Sequence, residues 1–482
     1  MRAVSGHDER VFLRPTTDRL WVLLVWLVPA AAGLLARMPS NDLAYHIRAG
    51  SLMVDLGHVL RSDPFTFTVL GQPWHDQQWG AQVLLDLAFR PWGWPGLVIV
   101  RAAMVSFAFG VTFHWARGAA SRDALVAACV TLGALVVAIL MPGSLALRPQ
   151  LLAVPLFLIA IWILRRRAEN AWGLAWLPVI TLVWANLHGS FVLMLVMCGI
   201  AFSVDVVERR QSWRWTGTAT LGCLFGTLVN PWGFGIYRYV ADLVTAPIVR
   251  DVIDEWRPLW RLSPAGPAVV IALALLVTLF ASGRLRRPTL EEGLGLAAFG
   301  ALAVSSGRNL LWACLYFPPV IGGMVVARRE RPPDPSRITL VLSAVLVALL
   351  LLGLGRVVTE DQPEALLSEA PEGITAQIER IASPDDRVFN GRWGSWFEFA
   401  LPQIPMFVDA RAELFPQQVW NDFFTISAAR GPWREALERW KVDIVVAAYA
   451  RQEGLIERLG STPGWTEVYR DGDGVIFERS GD

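Results

Sequence analysis

The run Gln150-Leu-Leu-Ala-Val-Pro-Leu-Phe-Leu-Ile-Ala-Ile-Trp-Ile-Leu164, stopped at once by Arg165-Arg166-Arg167, decides how this chain is read. It holds no charge until three cations end it. An arginine in hydrocarbon costs about 2.5–3.5 kcal/mol on insertion scales, so a cluster of them marks the place where a helix leaves the bilayer. The pattern recurs along the chain. Apolar runs stand at about 19 to 37, 96 to 115, 123 to 141, 150 to 164, 172 to 187, 190 to 206, 215 to 229, 264 to 282, 289 to 304, 309 to 327 and 338 to 355, which makes eleven. Across the 482 residues, 54% are hydrophobic and 18% charged, and the mean hydropathy is +0.42, as expected where lipid is the solvent.

Arginines occupy alternate connections. Arg10, Arg14 and Arg19 precede the first run, Arg117 and Arg122 follow the second, and Arg165 to Arg167 follow the fourth. Arg209, Arg210 and Arg214 follow the sixth, Arg284, Arg286 and Arg287 the eighth, and Arg328, Arg329 and Arg331 the tenth. The positive-inside rule puts these connections, and the N-terminus with His7, in the cytoplasm; an odd number of spans then carries the C-terminus outside. The first run has no small-residue cleavage site after it and is read as a retained span. The expected protein is a polytopic α-helical membrane protein of about eleven transmembrane helices over residues 1–355, with an outer loop at 38–95 and a small extracytoplasmic α/β domain over 356–482.

The net charge of +1 gives no support to a nucleic-acid partner. Cys129, Cys198, Cys223 and Cys314 fall inside apolar runs without metal-ligand spacing and read as packing residues. No HExxH or similar spacing occurs, so no metal is expected. Gly293-Leu-Gly-Leu-Ala-Ala298 mimics a dinucleotide fingerprint but sits in a membrane run, where it reads as helix packing.

The polar and aromatic residues collect on the other side of the alternation. Asn41-Asp-Leu-Ala-Tyr-His-Ile-Arg-Ala-Gly50, if helical, sets Asp42, Tyr45, His46 and Ala49 on one face, so a carboxylate and an imidazole one turn apart can share a substrate proton. Arg61-Ser-Asp-Pro-Phe-Thr-Phe-Thr68 centres on the Asp63-Pro turn. Gly71-Gln-Pro-Trp-His-Asp-Gln-Gln-Trp79 packs His75 and Asp76 between tryptophans, ahead of an amphipathic stretch from Ala81 to Arg90. Each of these has a bland reading as cap, turn former or aromatic belt. Asp42 stands out because an acid at the end of a span is costly unless it is used.

Together with Trp184-Ala-Asn-Leu-His-Gly189, Asn230-Pro-Trp-Gly233, Asp254-Glu-Trp256 and Phe407-Val-Asp-Ala-Arg-Ala-Glu413, these segments resemble the GT-C superfamily of membrane glycosyltransferases, more narrowly its bacterial protein-mannosyltransferase-like members, over nearly the whole chain. The paired acids that usually mark the first loop stand here as Asn41-Asp42. The resemblance implies a protein of the bacterial inner membrane that moves a sugar from a polyprenyl-phosphate-linked donor to an extracytoplasmic glycan, lipid or protein acceptor, with no cofactor. Asp42 is then the expected base with His46 beside it, and Asp63 and Asp254 are in reserve. One or more of Arg101, Arg148 and Arg308, at apolar helix ends, is expected on the donor phosphate, whose geometry suits a guanidinium fork. His75, Asp76, Asn186, His188, Asn230, Asp254 and Glu255 are expected to line the substrate pocket. The rival readings are a lipid or glycan transporter or flippase, and a non-catalytic envelope-assembly protein that keeps the GT-C-like fold; Asn41 in place of an acid favours the latter.

In the tail, Arg387-Val-Phe, Pro405-Met-Phe-Val and Val442-Asp-Ile-Val-Val-Ala read as short strands, Gly373 to Ile381 and Trp433 to Trp440 as helices, and Trp465 to Glu478 as a hairpin turning at Asp-Gly. Asp409, Arg411 and Glu413 follow an expected strand and read as an ion-paired strand end, with acceptor recognition as a second role.

Overall fold

A computed structural model describes residues 17–480 apart from 121–122, 142, 246–247, 250–252 and 327–336. Every one of the eleven apolar runs forms helix. In chain order the helices up to residue 358 are α1 (Thr17–Leu35), α2 (Ser40–Leu56), α3 (Trp79–Ala119), α4 (Ala124–Ile139), α5 (Pro149–Arg165), α6 (Leu177–Leu187), α7 (Val192–Val207), α8 (Trp213–Gly226), α9 (Gly235–Thr245), α10 (Ala265–Ala281), α11 (Leu290–Ser305), α12 (Leu310–Met324) and α13 (Arg337–Val358). Thr17–Leu35, Trp79–Ala119, Gly189–Val207 and Thr339–Val358 are long and apolar enough to cross a bilayer; Ala124–Ile139, Pro149–Arg165, Ala171–Leu187 and Ala265–Ala281 are shorter apolar helices.

Ile271, Val277, Leu351 and Leu352 on α10 and α13 are each more than half exposed. Apolar helix surface of this extent is a liability in water and is what lipid requires. Helices α2, of 17 residues, and α9, of 11, differ: both are amphipathic and lie in loops between spans. Helix α3 joins two expected pieces, the amphipathic Ala81 to Arg90 stretch and the second span, across a kink at Gly93 between Pro91 and Pro95.

The arginine connections come together. Arg167, after α5, pairs with Asp205 on α7 at 2.9 Å and Glu291 on α11 at 2.8 Å, while Ser212 and Thr216 donate to Asp205. Three of the alternate connections therefore share one end of the bundle, and Arg148, at the opposite end of α5, lies on the other. His7, Arg10, Arg14, Arg122, Arg328, Arg329 and Arg331 lie outside the described residues.

The boundary expected at 355/356 falls within α13. The tail beyond it has α14 (Pro363–Leu366), α15 (Glu372–Ile381), β1 (Val388–Phe389), α16 (Gly394–Ala400), α17 (Gln417–Ser427), α18 (Trp433–Arg439), β2 (Ile444–Ala448), α19 (Tyr449–Gly460), β3 (Trp465–Arg470) and β4 (Gly474–Arg479). The sheet order is β1-β2-β4-β3. β1 runs parallel to β2 with Val388 opposite Ile444, and β4 is antiparallel to both of its neighbours. Val445 and Phe477, paired across β2 and β4, are fully buried. Pro405 to Val408 is no strand: Met406 makes single bridges to Thr66 on one side and Val388 on the other, which splices the tail onto the first loop.

Candidate active site at one end of the bundle

Two close approaches build the site. At Gly50 of α2 a Cβ would lie 2.2 Å from the Gln82 carbonyl, so the backbones of α2 and α3 touch there, and His46, one turn earlier, sits against the Gln82 side chain. At Gly143, with φ of +76°, a Cβ would lie 2.1 Å from Glu255 Oε1, so only glycine leaves room for Glu255 to reach α5.

At that point three separate segments meet. Arg148 caps α5 ahead of Pro149. Its Nε lies 2.8 Å from Asp42 Oδ2, on the first turn of α2, and its Nη1 donates at 2.7 Å to both oxygens of Glu255. Burial alone would lower the Arg148 pKa, but Asp42 and Glu255 outweigh it and hold the guanidinium firmly protonated. The side chain of Asp42 is 25% exposed and that of Arg148 14%, so the cluster opens onto solvent through Asp42. Arg308 stands nearby with its guanidinium 5.4 Å over the Trp256 ring, and among the described residues no carboxylate lies within ion-pair distance of it.

A neutral network adjoins these charges. The Gln82 amide nitrogen donates to Asp76 Oδ1 at 2.8 Å and faces His46 Nδ1 at 3.2 Å, which puts the imidazole proton on Nε2. Burial lowers His46 to about 3 and lifts Asp76 to about 8, so at neutral pH the histidine is uncharged and the acid holds a proton. His188 Nδ1 accepts from the Ser190 backbone N–H at 3.1 Å, and burial and then Arg308 push it well below the usual histidine range. Among the described residues Asp76 Oδ2, Gln77 Oε1 and Gln82 Oε1 are buried without a hydrogen-bond partner, an expensive arrangement unless a bound group supplies donors to the two amide oxygens and an acceptor to the protonated acid.

The tail completes this end. Glu413 accepts from the Tyr239 hydroxyl at 3.0 Å, and Tyr239 stacks on His75 with ring centroids 6.3 Å apart. Burial raises both Glu413 and Tyr239. Arg411 Nη2 donates at 2.6 Å to Asp63 Oδ1, pairs with Asp409, and lies 4.4 Å over Trp74.

The structure thus gathers Asp42, His46, Arg148, Glu255, Arg308, His188, Asp76 and His75. Five other sequence candidates are committed elsewhere. Arg101 donates through Nη1 and Nη2 to the carbonyls of Gly33, Ala36 and Arg37 at the end of α1, and its remaining donor, Nε, is buried without a partner among the described residues. Asp63 is buried, and its oxygens take the Thr66 hydroxyl at 2.6 Å, the Thr66 and Phe65 backbone N–H groups and Arg411, so it clamps the first loop to the tail. Asn186 accepts from Trp79 and donates to the Leu182 and Val229 carbonyls; Asn230 closes its own turn through Thr227, Trp232 and Gly233. Asp254 is exposed and paired with Arg257. Residues that sequence reasoning gave no site role include Gln82, Tyr239 and Trp256. Glu413 was legible only as part of an ion-paired strand end. Among the described residues no group of three His, Cys, Asp or Glu side chains is arranged to hold a metal ion.

The fold is similar to that of solved GT-C membrane glycosyltransferases. Among solved structures, the ArnT of Cupriavidus metallidurans superposes with a TM-score of 0.52 in the apo state at 15% identity, and 0.51 bound to undecaprenyl phosphate at 13% identity, each over 98% of both chains. The apo oligosaccharyltransferase of Archaeoglobus fulgidus gives 0.52 at 12% identity over 96% of this chain and 75% of that one. No protein-family model matches the chain, nor does any curated protein.

Proposed function

We propose that the protein transfers a sugar from a polyprenyl-phosphate-linked donor to an acceptor hydroxyl outside the cytoplasmic membrane. The observation that carries this reading is the meeting of Asp42, Arg148 and Glu255 from three segments at the mouth of the bundle, beside an arginine with no acid partner among the described residues. The undecaprenyl phosphate bound by the structurally similar ArnT supports the class of donor. In the reaction the acceptor oxygen attacks the anomeric carbon as the bond from that carbon to the phosphate oxygen breaks. Asp42 takes the acceptor proton, and the polyprenyl phosphate leaves with its charge balanced by Arg308, with Arg148 behind it. Neutral His46 and protonated Asp76 hydrogen-bond sugar or acceptor hydroxyls without adding charge. The outward orientation rests on the arginine alternation.

The test is transfer by the purified full-length protein in liposomes, with polyprenyl-phosphate hexoses and pentoses as donors chosen from lipids that change in a deletion strain. Asp42→Asn keeps size and polarity, and Glu255 still holds Arg148, so the variant should fold as the parent and lose about 10²- to 10⁴-fold in rate, the usual worth of a general base. Activity within a few-fold of the parent would remove Asp42 from the mechanism. A parent with no transfer from any donor would favour the non-catalytic assembly reading.

A further inference from the structure

Glu255 and Trp256, neighbours in one short turn, treat two arginines in opposite ways. The Glu255 carboxylate accepts from Arg148 Nη1 through both oxygens, at 2.7 Å each, and the Arg308 guanidinium lies 5.4 Å over the Trp256 ring. The turn that carries them is fastened to the turn that carries Arg308. The Ser306 hydroxyl donates to the Glu255 carbonyl at 3.0 Å, and the Gly307 N–H to the Arg257 carbonyl at 3.2 Å. The Gln150 amide, two residues along from Arg148, donates to the Arg308 carbonyl at 3.0 Å. Arg148 and Arg308 are thus tied together twice, through α5 and through the Glu255 turn.

That division decides which arginine can receive an anion. An aromatic face adds no net charge, so Arg308 keeps its attraction for a phosphate, whereas a carboxylate held through both oxygens occupies Nη1 of Arg148. Without the Glu255 charge, Arg148 would turn its donors to an incoming phosphate and be drawn away from Asp42, which its Nε meets at 2.8 Å. The left-handed Gly143 leaves the space that the Glu255 carboxylate fills.

We propose that Glu255 is a positioning residue, which holds Arg148 on Asp42 and off the donor phosphate and leaves that phosphate to Arg308. Its part in turnover rests on the transferase reading; its effect on anion binding does not. The experiment measures undecaprenyl phosphate binding to the full chain in detergent, and transfer in liposomes from the donor that the parent uses. Glu255→Gln keeps the shape and one acceptor oxygen but drops the charge. It should bind undecaprenyl phosphate about three- to tenfold more tightly, as expected when a negative charge is removed beside an anion near the protein surface. KM for the donor and kcat should then fall together, because Arg148 leaves Asp42. A residue that only supported the fold would weaken binding and raise KM. Glu255→Asp restores the charge and should bind as the parent does; melting curves like the parent's establish that both variants fold. Binding by Glu255→Gln that is equal to the parent's or weaker, or binding by Glu255→Asp as tight as that of Glu255→Gln, overturns the proposal. Tighter binding by Glu255→Gln alongside a parent that transfers nothing sinks the transferase reading alone. Transfer by the parent, with Glu255→Gln losing kcat but gaining no affinity, sinks this inference alone, and a parent that binds no undecaprenyl phosphate sinks both.

Discussion

Replacing Arg411 by methionine should detach the tail from the first loop while leaving the membrane helices intact. Arg411 is 2% exposed and holds Asp63, 348 residues earlier in the chain, and Asp409, while its guanidinium lies on Trp74. Breaking a buried ion pair from one side costs about 3–5 kcal/mol, because the partner's charge stays buried and uncompensated. Two features temper that figure. Asp63 keeps its three bonds from Phe65 and Thr66, and methionine restores a sulfur–aromatic contact with Trp74 worth roughly 0.3–1.5 kcal/mol. Asp409 keeps its bond from the Arg411 backbone N–H and its hydrogen bond with Glu398, and bears most of the penalty. At about 1.4 kcal/mol per tenfold, a net loss near 3 kcal/mol raises the undocked population roughly a hundredfold. Limited proteolysis of the full chain in detergent reads this directly, as faster release of a C-terminal fragment. Adding Asp409→Leu should recover part of the loss, since an apolar replacement of a buried ion pair is often neutral. Unchanged proteolysis in Arg411→Met would refute the clamp. So would an Asp63→Asn protein that stays docked but loses transfer, which would return Asp63 to the catalytic list.

Asp76→Asn should flatten stability above neutral pH. With a folded pKa of about 8 against an ordinary 3.8, the folded chain keeps its proton after the unfolded chain has lost it, so stability falls as pH rises from about 4 to 8 and is lowest beyond. Comparing the parent with Asp76→Asn between pH 7 and 9 isolates this group, because His46, at about 3 when folded, shifts stability only between about 3 and 6.5, and the other carboxyls raised by burial, Glu398 and Glu413, are common to both proteins; a variant that loses stability as steeply as the parent contradicts the assignment. Arg308→Lys keeps the charge but loses the fork and its stacking on Trp256, and should weaken undecaprenyl phosphate binding about tenfold; binding equal to the parent's removes Arg308 from the donor site. A reporter active only outside should work when fused after about residue 360, and one active only in the cytoplasm after about residue 167; the reverse pattern inverts the topology.

The helices were legible because the signal for a span is local. Apolar residues contiguous in sequence are contiguous in the helix, and the arginines that end them lie next to them in the chain. The amphipathic α2 was legible for the same reason, since Asp42 and His46 share a face by spacing alone. Pro405 to Val408 failed as a strand because four apolar residues carry no record of their partners. Met406 finds Thr66 and Val388 on opposite sides, and the segment splices two parts of the chain instead of entering the sheet. The Asp63–Arg411 pair was hidden by distance along the chain, and each half alone reads as a turn or an ion-paired end. Cys198 and Cys223, far apart in sequence, bring their sulfurs within 3.9 Å between α7 and α8.

The three arginines show why a site resists sequence reading even where residue types are well chosen. By sequence, Arg101, Arg148 and Arg308 are alike: each ends an apolar run, and each is costly unless it is paired or can snorkel. The structure gives each a different partner, and the partners settle what a phosphate would have to displace. At Arg101 it would have to replace backbone carbonyls at the end of α1, unpicking the helix end that they close. At Arg148 it would compete with Glu255, which already holds Nη1 through both oxygens, and with Asp42 at Nε. Only the Asp42 contact is single and open to water, so a phosphate there would displace the proposed base. At Arg308 a phosphate would meet a guanidinium that lies 5.4 Å over the Trp256 ring and has no carboxylate partner among the described residues. In the proposed reaction that ordering assigns the donor phosphate to Arg308 first, and it leaves Arg148 to fix Asp42 and Glu255 in place behind it.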